Sequence, residues 1–187
     1  MRDTPKTALR GNQQENRSTR RPIIGIMGAG EASSISLVAA RELGALVAER
    51  GWIVLTGGRA AGVMAAACAG AKRIRNSLTL GILPGSGGGV GPDVDIAVFT
   101  GMGEARNAIN VLTSDVVVAC GVEGPGTASE VSLALRAGKP VILLGPAEAA
   151  RIFFQGLAAP GRLTVVEEPI EVVQLIENDL AIMRWNP

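Results

Sequence analysis

From Pro22 onward, short β-branched runs alternate with longer Ala- and Leu-rich stretches, and most of the short runs end at glycine. That alternation constrains the chain more than any other feature, because apolar runs of four to six residues separated by helix-length segments read as a β-α repeat. The strands are expected over 23–28, 52–56, 78–84, 96–99, 116–120, 141–144 and 163–166. Helices are expected over 33–50, 62–74, 103–113, 127–137, 147–157 and 169–180. Ser33 or Ser34 caps the first of these, whose apolar face is Leu37, Ala40, Leu43, Ala45 and Leu46. The runs are apolar on both faces, as strands covered on both sides must be. The expected fold class is therefore α/β, a Rossmann-like doubly wound parallel sheet of at least five strands in a single domain. In such a sheet ligands sit beyond the carboxyl ends of the strands.

The 187 residues suffice for one such domain, and the absences narrow its chemistry. With no His there is no Ser-His-Asp triad, no Cys-His pair and no His-ligated metal. Cys68 and Cys120 alone cannot build a zinc cluster or a disulfide framework, so no metal site is expected. A net charge of +1 argues against nucleic acid as a partner. The apolar runs are short and broken by glycine, which argues against a membrane span. Residues 1–21 gather Arg2, Lys6, Arg10, Arg17, Arg20 and Arg21 with almost no apolar residue, which reads as a disordered basic tail ahead of a ligand-binding domain over 22–187. No apolar signal core follows the basic start, so a cytoplasmic protein is expected.

The unusual residues fall where the strands end. Gly28-Ala29-Gly30-Glu31-Ala32-Ser33 approaches the dinucleotide fingerprint but has Ser33 in place of its third glycine. The second strand ends Thr56-Gly57-Gly58-Arg59, without the acid that would hold a ribose, so NAD is not expected. Gly57, Gly58, Arg59, Gly62 and Met64 repeat the arrangement of strand, glycines and helix start, which makes an anion site of backbone N–H groups. A third segment contains Arg106, Asn107, Asn110, Ser114 and Asp115, then Gly121-Val122-Glu123-Gly124-Pro125-Gly126-Thr127-Ala128-Ser129-Glu130. Gly124 and Gly126 let backbone approach a ligand, and Thr127 is placed to cap a helix facing a phosphate. On that numbering Glu130 is either the N3 member of a Thr-x-x-Glu capping box or a functional carboxylate.

Taken in order, Gly57-Gly58-x-x-x-Gly62-x-Met64, Arg106-Asn107, Ser114-Asp115, Gly124-Pro125-Gly126-Thr127-x-x-Glu130 and Gly138-Lys139-Pro140-Val141 resemble the superfamily long labelled lysine-decarboxylase-like. It includes the cytokinin-activating "lonely guy" phosphoribohydrolases and the molybdenum cofactor carrier proteins. The resemblance covers about Ile23 to Leu144. It implies a Rossmann-like fold, homo-oligomers (dimer or tetramer), and a pocket for a small phosphorylated nucleotide or pterin. The hydrolases carry an Arg-Lys pair and a P-G-G-x-G-T-x-x-E loop. Their catalytic Arg and Glu match Arg106 and Glu130, whereas their Lys is matched by Asn107 and their P-G-G by Val122-Glu123-Gly124. A carboxylate at Glu123 would repel a nearby phosphate by ~1–4 kcal/mol.

The Arg-Asn pair and G-P-G-T loop look more like the carrier branch. That resemblance implies molybdenum cofactor as bound ligand, held by Gly28, Gly30, Ser33, Gly57, Gly58, Arg59, Gly62, Met64, Arg106, Asn107, Gly124, Pro125, Gly126, Thr127 and Glu130. Apo-molybdoenzymes are then candidate partners. Pyridoxal phosphate is not expected, because neither Lys72 nor Lys139 sits in a recognisable context for it. Two further readings stand beside the carrier. One is N-glycosidic cleavage of a nucleoside 5′-monophosphate, with Arg106 orienting substrate and Glu130 acting as acid–base. The other is a nucleotide-sensing domain. Homo-oligomerisation is also expected from apolar residues at 64–71 and at Ala105, Ala108, Ile109 and Leu112.

Overall fold

A computed structural model describes residues 20–185. The chain runs β1 (Ile23–Met27), α1 (Ser34–Glu49), β2 (Ile53–Thr56), α2 (Gly62–Ala71), β3 (Leu78–Leu83), β4 (Ile96–Phe99) and a 3-10 turn (Gly103–Arg106). It continues through α3 (Asn107–Thr113), β5 (Val116–Cys120), α4 (Pro125–Arg136), β6 (Val141–Leu144), α5 (Glu148–Leu157), β7 (Leu163–Val166) and α6 (Pro169–Trp185). The seven strands form one sheet in the order β4-β3-β2-β1-β5-β6-β7. Every pairing is parallel, with Ile24 opposite both Val54 and Val116 at the centre. The expected α/β doubly wound sheet is therefore present, and its strand order reverses between β1 and β5. A crevice opens at the carboxyl ends of the strands at such a reversal.

The central strands are buried on both faces because each face has its own helical layer. Ile24, Ile26, Val54, Val116 and Val118 pack under α1, α2 and α6, against Leu43, Ala67 and Ile176. Met27, Leu55, Val117, Ala119 and Leu143 pack under α3, α4 and α5, against Val111, Val131 and Phe154. The sequence has three Phe, two Trp and no Tyr, and close helix packing takes the place of bulky aromatic side chains. A Cβ at Gly44 would overlap the carbonyl of Ala67, and one at Gly70 would overlap that of Arg41, so α1 and α2 approach backbone to backbone. This corrects one expectation. Val63, Met64, Ala66, Ala67, Cys68, Gly70 and Ala71 are buried, so most of the Ala-rich segment is spent inside the subunit, and only Ala65 and Ala69 within it stay half-buried.

Helix limits differ from the sequence reading where local chemistry competes. The stretch 103–113 is divided, because Gly103–Arg106 closes as a 3-10 turn before α3 begins at Asn107. The second helix stops at Ala71, short of 74, and the last continues beyond 180 to Trp185. The tail expected over 1–21 lies outside the described residues except at its end. There Arg20 donates to Asp115 at 2.7 Å, and Asp115 also accepts the Ile23 N–H at 2.9 Å. Among the described residues, no helix is long and apolar enough to cross a membrane.

Candidate functional site

Three helix starts converge at the carboxyl ends of β1, β2 and β5, and the space between them is a cleft of about 870 Å³. The β1–α1 turn contributes Gly28 and Gly30, and the β2–α2 turn contributes Gly57, Arg59 and Met64. From α3 and the turn before it come Arg106 and Asn107. The β5–α4 segment supplies Gly124, Pro125, Gly126, Thr127 and Glu130. Twelve of the fifteen residues expected to hold the ligand thus line one cleft. Ser33, Gly58 and Gly62 do not line the cleft; they shape its walls. Gly62 has φ +52, and a Cβ there would overlap the Ala29 carbonyl, while the Val63 N–H donates to that same carbonyl at 3.1 Å. The first two glycine turns are locked together by this contact. Gly58 packs on Gly81, and Ser33 caps α1 by accepting from the Ser36 N–H at 3.2 Å.

The start of α4 departs from the sequence reading. Gly124 is the N-cap and Pro125 the first helical residue, so Thr127 is the third helical residue and does not cap. The Thr-x-x-Glu capping box therefore does not form, and Glu130 lies a turn inside the helix. Proline lacks an N–H and its φ suits a helix start, which moves the boundary two residues ahead of the hydroxyl. The consequence is chemical. Gly124 has no side chain to offer, so the Gly126 and Thr127 N–H groups of the first turn have no intrahelical acceptor. Their dipole end faces the cleft.

Buried polar side chains surround that turn. Arg106 is 4% exposed, Thr127 2% and Glu130 6%. Arg106 Nη1 lies 3.6 Å from Glu130 Oε1, and Asn110 Nδ2 donates to the same oxygen at 2.7 Å. Burial pushes the Glu130 carboxyl above its ordinary range, and neither Asn110 nor Arg106 compensates fully. Burial likewise lowers Arg106, against the pull of Glu130. Both shifts share one cause: desolvation outweighs the attraction of the pair. The β2 turn makes room for the guanidinium, since a Cβ at Gly57 would sit 2.6 Å from Arg106 Nη1. Asn107 Nδ2 donates to Ser129 Oγ at 2.8 Å, and Ser129 Oγ donates to the Gly126 carbonyl at 2.7 Å, tying α3 to the first turn of α4. Four buried polar atoms have no partner among the described residues: Arg106 Nε, Asn107 Oδ1, Asn110 Oδ1 and Thr127 Oγ1. Three of these belong to residues lining the cleft.

Glu123 behaves differently from its reading in the sequence. It lines the cleft, yet its oxygens are turned away from α4 and onto the start of α1. Oε2 accepts the Ser33 N–H at 2.7 Å, and Oε1 accepts from Ser33 Oγ and Ser36 Oγ, each at 2.7 Å. Partial burial raises its pKa, but these bonds from Ser33 and Ser36 prevail and hold it below the usual carboxylate range. Ser129 and Glu104 are cleft residues that sequence reasoning passed over. Ser129 could have been found, because it lies two residues after Thr127 on the same helix start; Glu104 carries no such signal. The glycine-rich loop 85–91 does not line the cleft. It is fastened beside the second turn by the Gly91 N–H, which donates to the Gly58 carbonyl at 2.8 Å. The two lysines of the domain are engaged elsewhere, Lys72 with Asp95 and Lys139 with the Ser114 carbonyl.

Comparison with known proteins agrees with this geometry. The molybdenum cofactor binding protein from the phototrophic bacterium Rippkaea orientalis superposes with a TM-score of 0.83 at 48% identity, covering 87% of this chain and 99% of that one. The molybdenum cofactor carrier protein of Chlamydomonas reinhardtii superposes with a TM-score of 0.80 at 45% identity, covering 86% of this chain and 99% of that one. An uncharacterized protein from Archaeoglobus fulgidus is 40% identical over 133 residues, which is 70% of this chain and 86% of the relative. The family model of the SLOG cluster4 family matches residues 21–173, which include every strand, each glycine turn and the whole cleft. The chain belongs to the SLOG cluster4 family.

Proposed function

We propose that this protein binds molybdenum cofactor, a phosphorylated pterin, in the cleft between the β1, β2 and β5 turns and carries it in protected form. The observation that carries the reading is the buried, unpartnered Thr127 Oγ1 at the open first turn of α4. A buried hydroxyl without a partner costs ~1–3 kcal/mol, so a site that keeps one is built for an acceptor from outside. Phosphate oxygens supply that acceptor, beside the Gly126 and Thr127 N–H groups and the positive end of α4. Asn107 Oδ1 is the complementary group, an acceptor suited to the N–H edge of a pterin. The similarity to proteins named for molybdenum cofactor binding, at 45–48% identity over most of the chain, supports the same ligand. Neither NAD nor pyridoxal phosphate has comparable support.

The test is direct. Apo-protein mixed with molybdenum cofactor is expected to retain one cofactor per chain and slow its oxidation. A cofactor that passes through gel filtration unretained and decays at its free rate overturns the reading.

One observation favours the hydrolase alternative: Arg106 and Glu130 both line the cleft, and burial raises the Glu130 carboxyl above its ordinary value. In that case AMP would release free base, and Glu130→Gln and Arg106→Ala would each reduce turnover by ~100-fold or more. The carrier reading expects no such release from the parent protein.

We also propose a homo-oligomer, dimer or tetramer, working in the cytoplasm and delivering to apo-molybdoenzymes. Exposed apolar side chains support assembly, notably Ile35 at 78% and Leu112 at 62% exposure. Light scattering that gives a monomer mass at micromolar concentration overturns this part.

A further inference from the structure

Two of the three helix starts around the cleft are in opposite electrostatic states. At α1, Glu123 arrives from 90 residues along the chain and takes the Ser33 N–H, the Ser33 hydroxyl and the Ser36 hydroxyl, each at 2.7 Å. That turn is where a dinucleotide fold holds pyrophosphate on the helix N-terminus. Here an internal carboxylate already holds the position. The backbone is shaped for it: Gly121 has φ +56, and a Cβ there would lie 2.6 Å from Ser36 Oγ and 3.0 Å from Glu123 Oε1. At α4 the first turn has no acidic residue and no capping side chain, and Thr127 Oγ1 beside it is buried and unpartnered.

We propose that Glu123 is a specificity-determining residue, a built-in anion that restricts the cleft to ligands carrying a single phosphate ester and rejects pyrophosphate-linked dinucleotides. The proposal rests on the reading of α4 as the phosphate site. One phosphate is taken at α4. A second phosphate reaching toward α1 meets a charge of its own sign and finds the local donors already engaged. Among phosphorylated pterins, the class selected is the monophosphate, and a nucleotide joined through a diphosphate is excluded. The same device explains how a chain keeps a glycine turn resembling the dinucleotide fingerprint without using it for a dinucleotide.

The experiment uses the full chain and two probes, inorganic phosphate and inorganic pyrophosphate, titrated calorimetrically into the parent, Glu123→Gln and Glu123→Ala. The parent is expected to bind pyrophosphate no more tightly than phosphate. Glu123→Ala frees three donors and removes a charge, so pyrophosphate affinity should rise by about tenfold or more while phosphate affinity changes by less than about threefold. Glu123→Gln keeps the shape and loses the charge, so its gain should fall between the two; it decides the matter if the alanine variant does not fold. A folded variant that binds pyrophosphate no more tightly than the parent overturns the proposal, whatever the parent's affinity for the cofactor. The α4 reading fails separately, if Gly126→Val leaves phosphate affinity unchanged.

Discussion

Single side chains set the chemistry of the cleft, and Glu130 shows how. Its carboxyl is raised by burial in the fold, so the folded state holds its proton to higher pH than the unfolded chain, where a glutamate titrates near ~4.3. Folded protein therefore binds more protons between the two values, and stability falls as pH rises through that window. Measured against Glu130→Gln, which has nothing to titrate, the parent should lose stability from about pH 4 upward. A parent that gains stability relative to the variant over that range contradicts the account. Gly57 gives a second prediction at this scale. A Cβ there would lie 2.6 Å from Arg106 Nη1 and 2.8 Å from Met64 Sδ, both flexible side-chain atoms. Gly57→Ala should therefore fold, displace the guanidinium and weaken phosphate binding by about tenfold, roughly 1.4 kcal/mol. Unchanged affinity would remove Arg106 from the site.

Elements rather than residues decide whether the helix starts are open. The first turn of α4 is held to α3 through Asn107, Ser129 and the Gly126 carbonyl, and a Cβ at Gly126 would meet nothing within 4 Å. Gly126→Val should accordingly keep the fold and fill the cleft in front of the turn. Phosphate should raise the midpoint of thermal unfolding of the parent by mass action and leave that of the variant unmoved. The α1–α2 pair behaves oppositely, because there the neighbour is backbone. Gly70→Ala would force the helices apart at the Arg41 carbonyl and should cost ~1–3 kcal/mol, read as a lower denaturation midpoint. Legibility followed the same division. Strands and helix centres could be read because apolar runs and glycine stops are local signals. The α4 start could not, because Thr127 and Glu130 imitate a capping box while Pro125, two residues earlier, opens the helix. Nor could the seat of Glu123, since contact with Ser33 across 90 residues depends on β1 lying beside β5. The Ala-rich α2 read as spare apolar surface; its small residues instead let it settle against α1.

At the scale of the molecule, one topological fact organises the rest: the strand order turns at β1 and β5, and three glycine turns meet there. Two are locked to each other through Val63 and Ala29, the first of these also holds the Glu123 carboxylate, and the third faces the cleft with the unpartnered Thr127 hydroxyl. Under the proposed function this arrangement serves as a receptor for one phosphate with a polar, buried floor, in a chain of the SLOG cluster4 family. Native mass spectrometry of the full chain after incubation with molybdenum cofactor, run beside Gly126→Val, tests that account most directly. The parent should carry the mass of one cofactor per chain and the variant none. Equal retention by both, or none by the parent together with free base released from AMP, would contradict it.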